Sequence, residues 1–284
     1  MKREYLFTDI IVAETTIINF QNERFSLLRK VFYIAKILWY NSGMKILPNI
    51  PYLLFLAKNV LWADTYAKGI DYMRGHNDPK SEKALINEVT DGWARRILKK
   101  WDWTINVNGQ ENLPEDGPVV FISNHQGFAD VLPFMCCVPF QCGYIAKEEI
   151  KKVPHFARWI KRIRGIYINR GDARESLKSI NEGVDYLKQG FSMVIFPEGT
   201  RAKAPDFQLG EFHHGSFKLA TKAKVPIVPV TINGTYKLFE ETGIVQKHQS
   251  FDVTFHEMID VAAMDRSEYA ALPDKVRDII ASAL

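Results

Sequence analysis

His125 and Asp130 stand five residues apart in Asn124-His125-Gln126-Gly127-Phe128-Ala129-Asp130. A carboxylate beside an imidazole fixes its tautomer and stabilises the imidazolium formed when the ring takes a proton. Such a pair can act as a general base. Five residues of continuous helix would set the two side chains about 140° apart, so they meet only if the chain turns between them. Gly127 is expected to supply the freedom for that turn. Taken alone, this spacing arises often by chance and identifies no activity.

A second constellation is Phe196-Pro197-Glu198-Gly199-Thr200-Arg201, entered directly from the apolar run Met193-Val194-Ile195. Gly199 lets a backbone approach a ligand closely, and successive N–H groups in such a turn can cradle an anion. Arg201 adds a planar fork of donors suited to phosphate. A third is the basic belt Lys147, Lys151, Lys152, Arg158, Lys161, Arg162, Arg164 and Arg170, set against only Glu148 and Glu149, a local balance of 8 − 2 = +6. Its helical members read as a solvated or headgroup-facing surface. Lys147 and Arg170, each directly after a β-type run, are placed to grip a phosphate.

The elements that must position these residues follow from the periodicity. From about residue 103 onward, short β-branched runs alternate with amphipathic stretches, the pattern of an α/β domain. The expected strands are Thr104–Asn108, Val119–Ser123, Gly143–Ala146, Gly165–Asn169, Met193–Phe196, Ile227–Ile232 and Phe251–His256. Expected helices start at Pro79 behind Asp78, after Asp130, near Ile150, after Asp172, at His214 and at Pro273. Strand Val119–Ser123 then delivers His125 to the carboxyl edge of a sheet, where α/β proteins bind ligands.

Before residue 103 the pattern is helical. Between Arg24 and Ala63 there are six Lys or Arg, no Asp or Glu, and eight aromatic residues from Phe25 to Trp62. A basic, aromatic helix pair broken at Gly43 and at Pro48-Asn49-Ile50-Pro51 suits a membrane interface. Its apolar face would enter the acyl boundary while its bases meet anionic headgroups. No run of 18 apolar residues occurs, so a conventional spanning helix is not expected, and the first twenty residues lack the pattern of a secretory signal. Expected domains are residues 1–75, a helical membrane-associating segment, and 76–284, the α/β domain. Cys136, Cys137 and Cys142 form neither a disulfide framework nor a zinc pattern, and are expected as reduced thiols in or near the core. Bases interleaved with long apolar runs favour lipid over nucleic acid as a partner. The α/β alternation alone would also admit a dehydrogenase, but GxGxxG and a Walker loop are both missing.

Taken together, four segments resemble the glycerolipid acyltransferase family, most of all the bacterial type of 1-acyl-sn-glycerol-3-phosphate acyltransferase. They occur in the family's order: Asn124 to Asp130, Gly165 to Arg170, Phe196 to Arg201, and Val225 to Val230. The resemblance covers roughly residues 104–256. It implies an α/β fold with a mixed, mostly parallel sheet flanked by helices, preceded here by the N-terminal interface hairpin. It also implies transfer of a fatty acyl group from acyl-CoA or acyl-carrier protein to the free hydroxyl of lysophosphatidic acid, with no cofactor and no acyl-enzyme. His125 would be the general base, oriented by Asp130. Lys147, Arg170, Glu198, Gly199, Thr200 and Arg201 would hold the acceptor phosphate. A carboxylate repels phosphate, so Glu198 is also a candidate to orient Arg201 or to bind the glycerol hydroxyl. Acceptors such as glycerol-3-phosphate or another lysolipid share these motifs, and an idle lipid-binding protein could keep the fold. The chain departs from the family at Ala202, where Ser is common, and at Phe212-His213-His214-Gly215, where the family is basic, which bears on donor or headgroup preference. The expected location is the cytoplasmic face of the cell membrane.

Overall fold

A computed structural model describes residues 45, 47–152, 154–169, 171–203, 206 and 208–284. Seven strands form one sheet: β1 (Trp103–Asn108), β2 (Val120–Ser123), β3 (Cys142–Lys147), β4 (Ile166–Ile168), β5 (Ser192–Ile195), β6 (Ile227–Asn233) and β7 (Gln249–Phe255), in the order β1-β7-β6-β2-β5-β3-β4. β6, β2, β5, β3 and β4 run parallel, while β7 lies antiparallel to β6 and carries β1 parallel to itself. The expected mixed, mostly parallel sheet is what the chain forms.

Alternation along the central strands divides the interior into two layers. Phe121, Val194 and Val228 face one way, against Leu53, Leu56 and Ile70 of α1 (Ile50–Gly75) and Ile86, Ile97 and Trp101 of α2 (Pro79–Trp101). Val120, Ile122, Met193, Ile195 and Ile227 face the other way, against α5 (Ala173–Lys188), α6 (Lys218–Ala223) and α7 (Arg266–Ala281). Two short helices, α3 (Leu132–Cys136) and α4 (Pro154–Arg162), follow β2 and β3. A strand covered on both faces reads as an unbroken apolar run, and all four residues of β2 and of β5 are buried.

Helix ends obey their local chemistry. Asp78 accepts from Ser81 N (3.1 Å) at the start of α2, and Asp172 accepts from the N–H groups of Arg174 and Glu175 at the start of α5. The closing helix begins earlier than Pro273. Asp265 caps it, accepting from Ser267 N and Glu268 N while Glu268 returns the bond to Asp265 N, so Pro273 falls inside. That reciprocal box outweighs the pull of proline towards a first turn. The helix expected after Asp130 is a 3-10 turn, Phe128–Val131, running into the five residues of α3.

The first arm of the expected N-terminal hairpin lies outside the described residues. Its second arm belongs to α1, which packs along α2 and buries Leu53, Leu56, Ala57, Val60, Ala63, Ala67 and Ile70. Tyr52 and Phe55, counted as interface aromatics, lie edge-on to Trp101 at 4.9 and 5.0 Å, and the Arg96 guanidinium lies 4.1 Å over the Trp62 ring. The outward face of α1 and its approach still carries Leu47, Ile50, Leu54 and Leu61 in the open, with Lys45 and Lys58 beside them. Among the described residues no helix is long and apolar enough to cross a membrane. Cys142 is buried, Cys136 and Cys137 are half-buried, and all three are free thiols.

Candidate active site

The carboxyl ends of β2 and β5 lie side by side, with Ile122 opposite Ile195. His125 and Glu198 follow these ends, in chain segments brought together across 73 residues. The His125 ring contacts Asp130 through Nδ1 and Oδ2 at 2.7 Å. Asp130 is fully buried, and its remaining capacity is filled by Gln126 N (2.6 Å), Gly127 N (2.8 Å) and the Thr235 hydroxyl. It takes its proton-bearing contact from Nδ1, which leaves Nε2 as the ring nitrogen not bound to Asp130, on a side chain 23% exposed. Phe196 stacks on the imidazole at 4.2 Å and 17° between planes, fixing the plane in which Nε2 points.

Gly127 contributes differently from the expectation. Its backbone is extended (φ −158°, ψ 177°), a conformation open to any residue. The turn that brings His125 to Asp130 is made by the two N–H bonds onto the carboxylate itself. What Gly127 provides is room: a Cβ there would lie 2.6 Å from Glu240 Oε2.

Further ties hold the His125 loop from β6. Asn124 pairs with Ile232 through both its amide atoms (2.8 Å each), and Gln126 Oε1 accepts from Gly234 N at 2.8 Å. Gly234 needs its positive φ of 100° to begin the turn that delivers Thr235 to Asp130. The Asn233-Gly234-Thr235 turn is therefore part of the site.

Glu198, expected among the phosphate-binding residues, sits elsewhere. One carboxylate oxygen accepts from His125 N (2.7 Å) and the other from Gly210 N (2.8 Å). Both oxygens are engaged by backbone donors, so Glu198 staples the two loops together. Burial pushes its pKa upward, against the pull of those two N–H groups and of His125. Gly199 has φ +71° and donates its N–H to Phe196 O, closing the turn, and Thr200 is exposed at its rim. Lys147 is exposed at the end of β3, two strands from β2 and so about 10 Å along the same edge. Arg170 lies outside the described residues.

Arg201 has a partner that the motif reading missed. Its Nη1 donates to Glu240 Oε1 at 3.1 Å, and its guanidinium lies 4.1 Å over the Phe128 ring. The same Glu240 oxygen accepts from Phe128 N at 2.8 Å. Glu240 is 9% exposed, and burial pushes its pKa up to about 7 despite Arg201 and Phe128 N–H. Nothing in the neighbouring sequence, Lys237-Leu238-Phe239-Glu240-Glu241, marks one acid as buried.

Four of the eight bases of the belt have acid partners. Arg162 pairs with Asp71 (2.9 Å), Lys161 with Glu182 (2.7 Å), Arg164 with the buried Glu82 (2.6 Å) and Lys151 with Glu148 (2.8 Å). Counting along the chain could not find acids that α1, α2 and α5 bring from elsewhere. Among the described residues no three His, Cys, Asp or Glu are grouped to share a metal ion.

Comparison with known proteins converges on the same segments. A family described as acyltransferase matches residues 104–233, which span every strand from β2 to β6 and both motif loops. The 1-acyl-sn-glycerol-3-phosphate acyltransferase of Borreliella burgdorferi is 31% identical over 183 residues, 63% of this chain and 71% of that one. The chain belongs to the acyltransferase family. A chloroplastic 1-acyl-sn-glycerol-3-phosphate acyltransferase of Arabidopsis thaliana is 35% identical over 161 residues, 55% of this chain and 44% of its own. The chain thus spans about half the length of the plant and yeast acyltransferases it matches, 44% and 57%. The crystal structure of the 1-acyl-sn-glycerophosphate acyltransferase PlsC from Thermotoga maritima superposes with a TM-score of 0.65 at 25% identity. That superposition covers 84% of this chain and 96% of the other. The His125–Asp130 pair and the Glu198 staple lie within the region that the family matches.

Proposed function

We propose that this acyltransferase moves a fatty acyl group from an acyl thioester, on CoA or acyl-carrier protein, to the free glycerol hydroxyl of lysophosphatidic acid, giving phosphatidic acid. The observation that carries the reading is His125, partly exposed after the end of β2, with Nδ1 committed to a buried Asp130 and Nε2 left for a substrate. His125 Nε2 removes the hydroxyl proton as the oxygen attacks the thioester carbonyl. The tetrahedral intermediate then collapses with loss of the thiolate, which recovers the proton from His125. Asp130 stabilises the imidazolium formed between these steps. General-base assistance of this kind is worth about 10² to 10⁴ in rate, and no covalent acyl-enzyme is required.

Arg201, Gly199 and Thr200, joined by Lys147 along the sheet edge and by Arg170, are the groups proposed to hold the acceptor phosphate. The relatives' names, 1-acyl-sn-glycerol-3-phosphate acyltransferases, support that acceptor. The exposed Leu47, Ile50, Leu54 and Leu61, with Lys45 and Lys58, support peripheral or monotopic seating on a lipid surface. We assign this seating to the cytoplasmic face of the cell membrane. Nucleic acid is not expected as a partner.

The deciding experiment crosses purified enzyme with lysophosphatidic acid, glycerol-3-phosphate and other lysolipids, each with acyl-CoA and acyl-carrier protein. Phosphatidic acid should form from lysophosphatidic acid. Acylation of glycerol-3-phosphate alone would replace the acceptor, and full turnover by a folded His125→Ala variant would remove the mechanism.

A further inference from the structure

We propose that Glu240 is a positioning residue that sets Arg201 for the acceptor's phosphate and ties it to the loop carrying His125. The inference rests on the reading of Arg201 as a phosphate ligand. Three neighbouring strands, β6, β2 and β5, send their following segments to one carboxylate. Glu240 comes from beyond β6, Phe128 and Gly127 from beyond β2, and Arg201 from beyond β5. A single oxygen of Glu240 accepts from Phe128 N at 2.8 Å and from Arg201 Nη1 at 3.1 Å, while Oε2 occupies the space that a Cβ on Gly127 would need. The Phe128 ring lies beneath the guanidinium at 4.1 Å. The Arg201 guanidinium is therefore held at Nη1 and against the Phe128 ring, which lowers the cost of ordering it when a ligand arrives.

An arginine whose aim depends on an ionised carboxylate loses that aim when the carboxylate protonates. The charged or titratable groups facing Glu240 are Arg201, Asp130 behind Gly127, and the Tyr52 phenol from α1. Asp130 and burial push the Glu240 pKa up and Arg201 pulls it down, leaving it at about 7. The carboxylate is charged above that pH and increasingly neutral below it.

The test uses the full chain with acyl-CoA saturating and lysophosphatidic acid varied, comparing wild type, Arg201→Ala, Glu240→Gln and the double variant. Glu240→Gln should raise the acceptor KM about tenfold with kcat nearly unchanged. The double variant should be no worse than Arg201→Ala alone, since Glu240 acts through Arg201. The wild-type advantage in KM over Glu240→Gln should shrink as pH falls through about 7; taking this ratio cancels the substrate's own ionisation. Additive losses, or a KM that falls in Glu240→Gln because the carboxylate competes with phosphate, would overturn the assignment. An unchanged acceptor KM in Arg201→Ala overturns the phosphate reading and this inference with it. Should Glu240→Gln fail to fold, Glu240→Asp serves in its place. It keeps the charge one methylene short of its partners, so it should raise KM, and an unaltered KM would count against the proposal.

Discussion

Asp130 spends its whole hydrogen-bonding capacity on four donors: the His125 ring, two loop N–H groups and the Thr235 hydroxyl. This makes it both the orienter of His125 and the centre around which residues 125–130 fold. Asp130→Asn keeps the shape but turns an N–H₂ towards groups that already donate, and it favours the wrong imidazole tautomer. We expect kcat to fall by about 10² to 10⁴, close to the loss in His125→Ala. Initial rates alongside a thermal melt would check this. A variant that keeps its rate would show that Asp130 takes no part in catalysis. The roles of Glu198 and Glu240 also belong to this scale, because neither can be assigned from residue type. Glu198 is bound on both oxygens by backbone donors, and Glu240 is an acid in a chain segment that looks like any solvated loop.

At the scale of elements, the site is an arrangement of strand ends. Parallel pairing of β6, β2 and β5 brings three loops to one edge, and side chains lock those loops together. Glu198 joins the β5 loop to His125 N, and Ala202 N returns a bond to His125 O at 2.7 Å. In Glu198→Gln one of the two backbone donors would face an amide N–H₂. A buried donor left unsatisfied costs about 1 to 3 kcal/mol. Urea unfolding should show a loss of that size, with kcat reduced because the His125 backbone is released. An unchanged midpoint would mean that the staple adds nothing. The motif containing Glu198 was legible in the sequence, but its function was misread, since the two N–H groups it serves lie 73 residues before it and 12 after it.

At the scale of the whole molecule, α1 serves two surfaces. One side supplies Leu53, Leu56 and Ile70 to the core beside α2, and the other leaves Leu47, Ile50, Leu54 and Leu61 open. Deleting residues 1–75 would therefore strip the core as well as any membrane contact, so point changes test the surface more cleanly. We expect co-sedimentation with anionic vesicles that weakens as salt is raised and that Leu54→Glu with Leu61→Glu reduces severalfold. Those variants should keep the wild-type melt, because both side chains stand outside the packed face. Vesicle binding unaffected by the double change would place the contact elsewhere.

The sequence by itself determined the class of fold, because short β-branched apolar runs and amphipathic stretches report burial directly. It also marked His125 and Asp130 as a candidate pair and picked out the two motif loops, because these are local signals carried by a few adjacent residues. Tertiary structure alone decided what those loops contact. It revealed that Gly127 gives room rather than a turn, that Glu198 serves backbone N–H groups, and that Glu240 holds Arg201. It also showed that Arg162, Arg164 and Lys161 of the basic belt are answered by Asp71, Glu82 and Glu182. Each of these depends on groups far apart in the chain meeting within hydrogen-bond reach in a buried place. There the energy of a polar group is set by its partners, which residue type and spacing do not record.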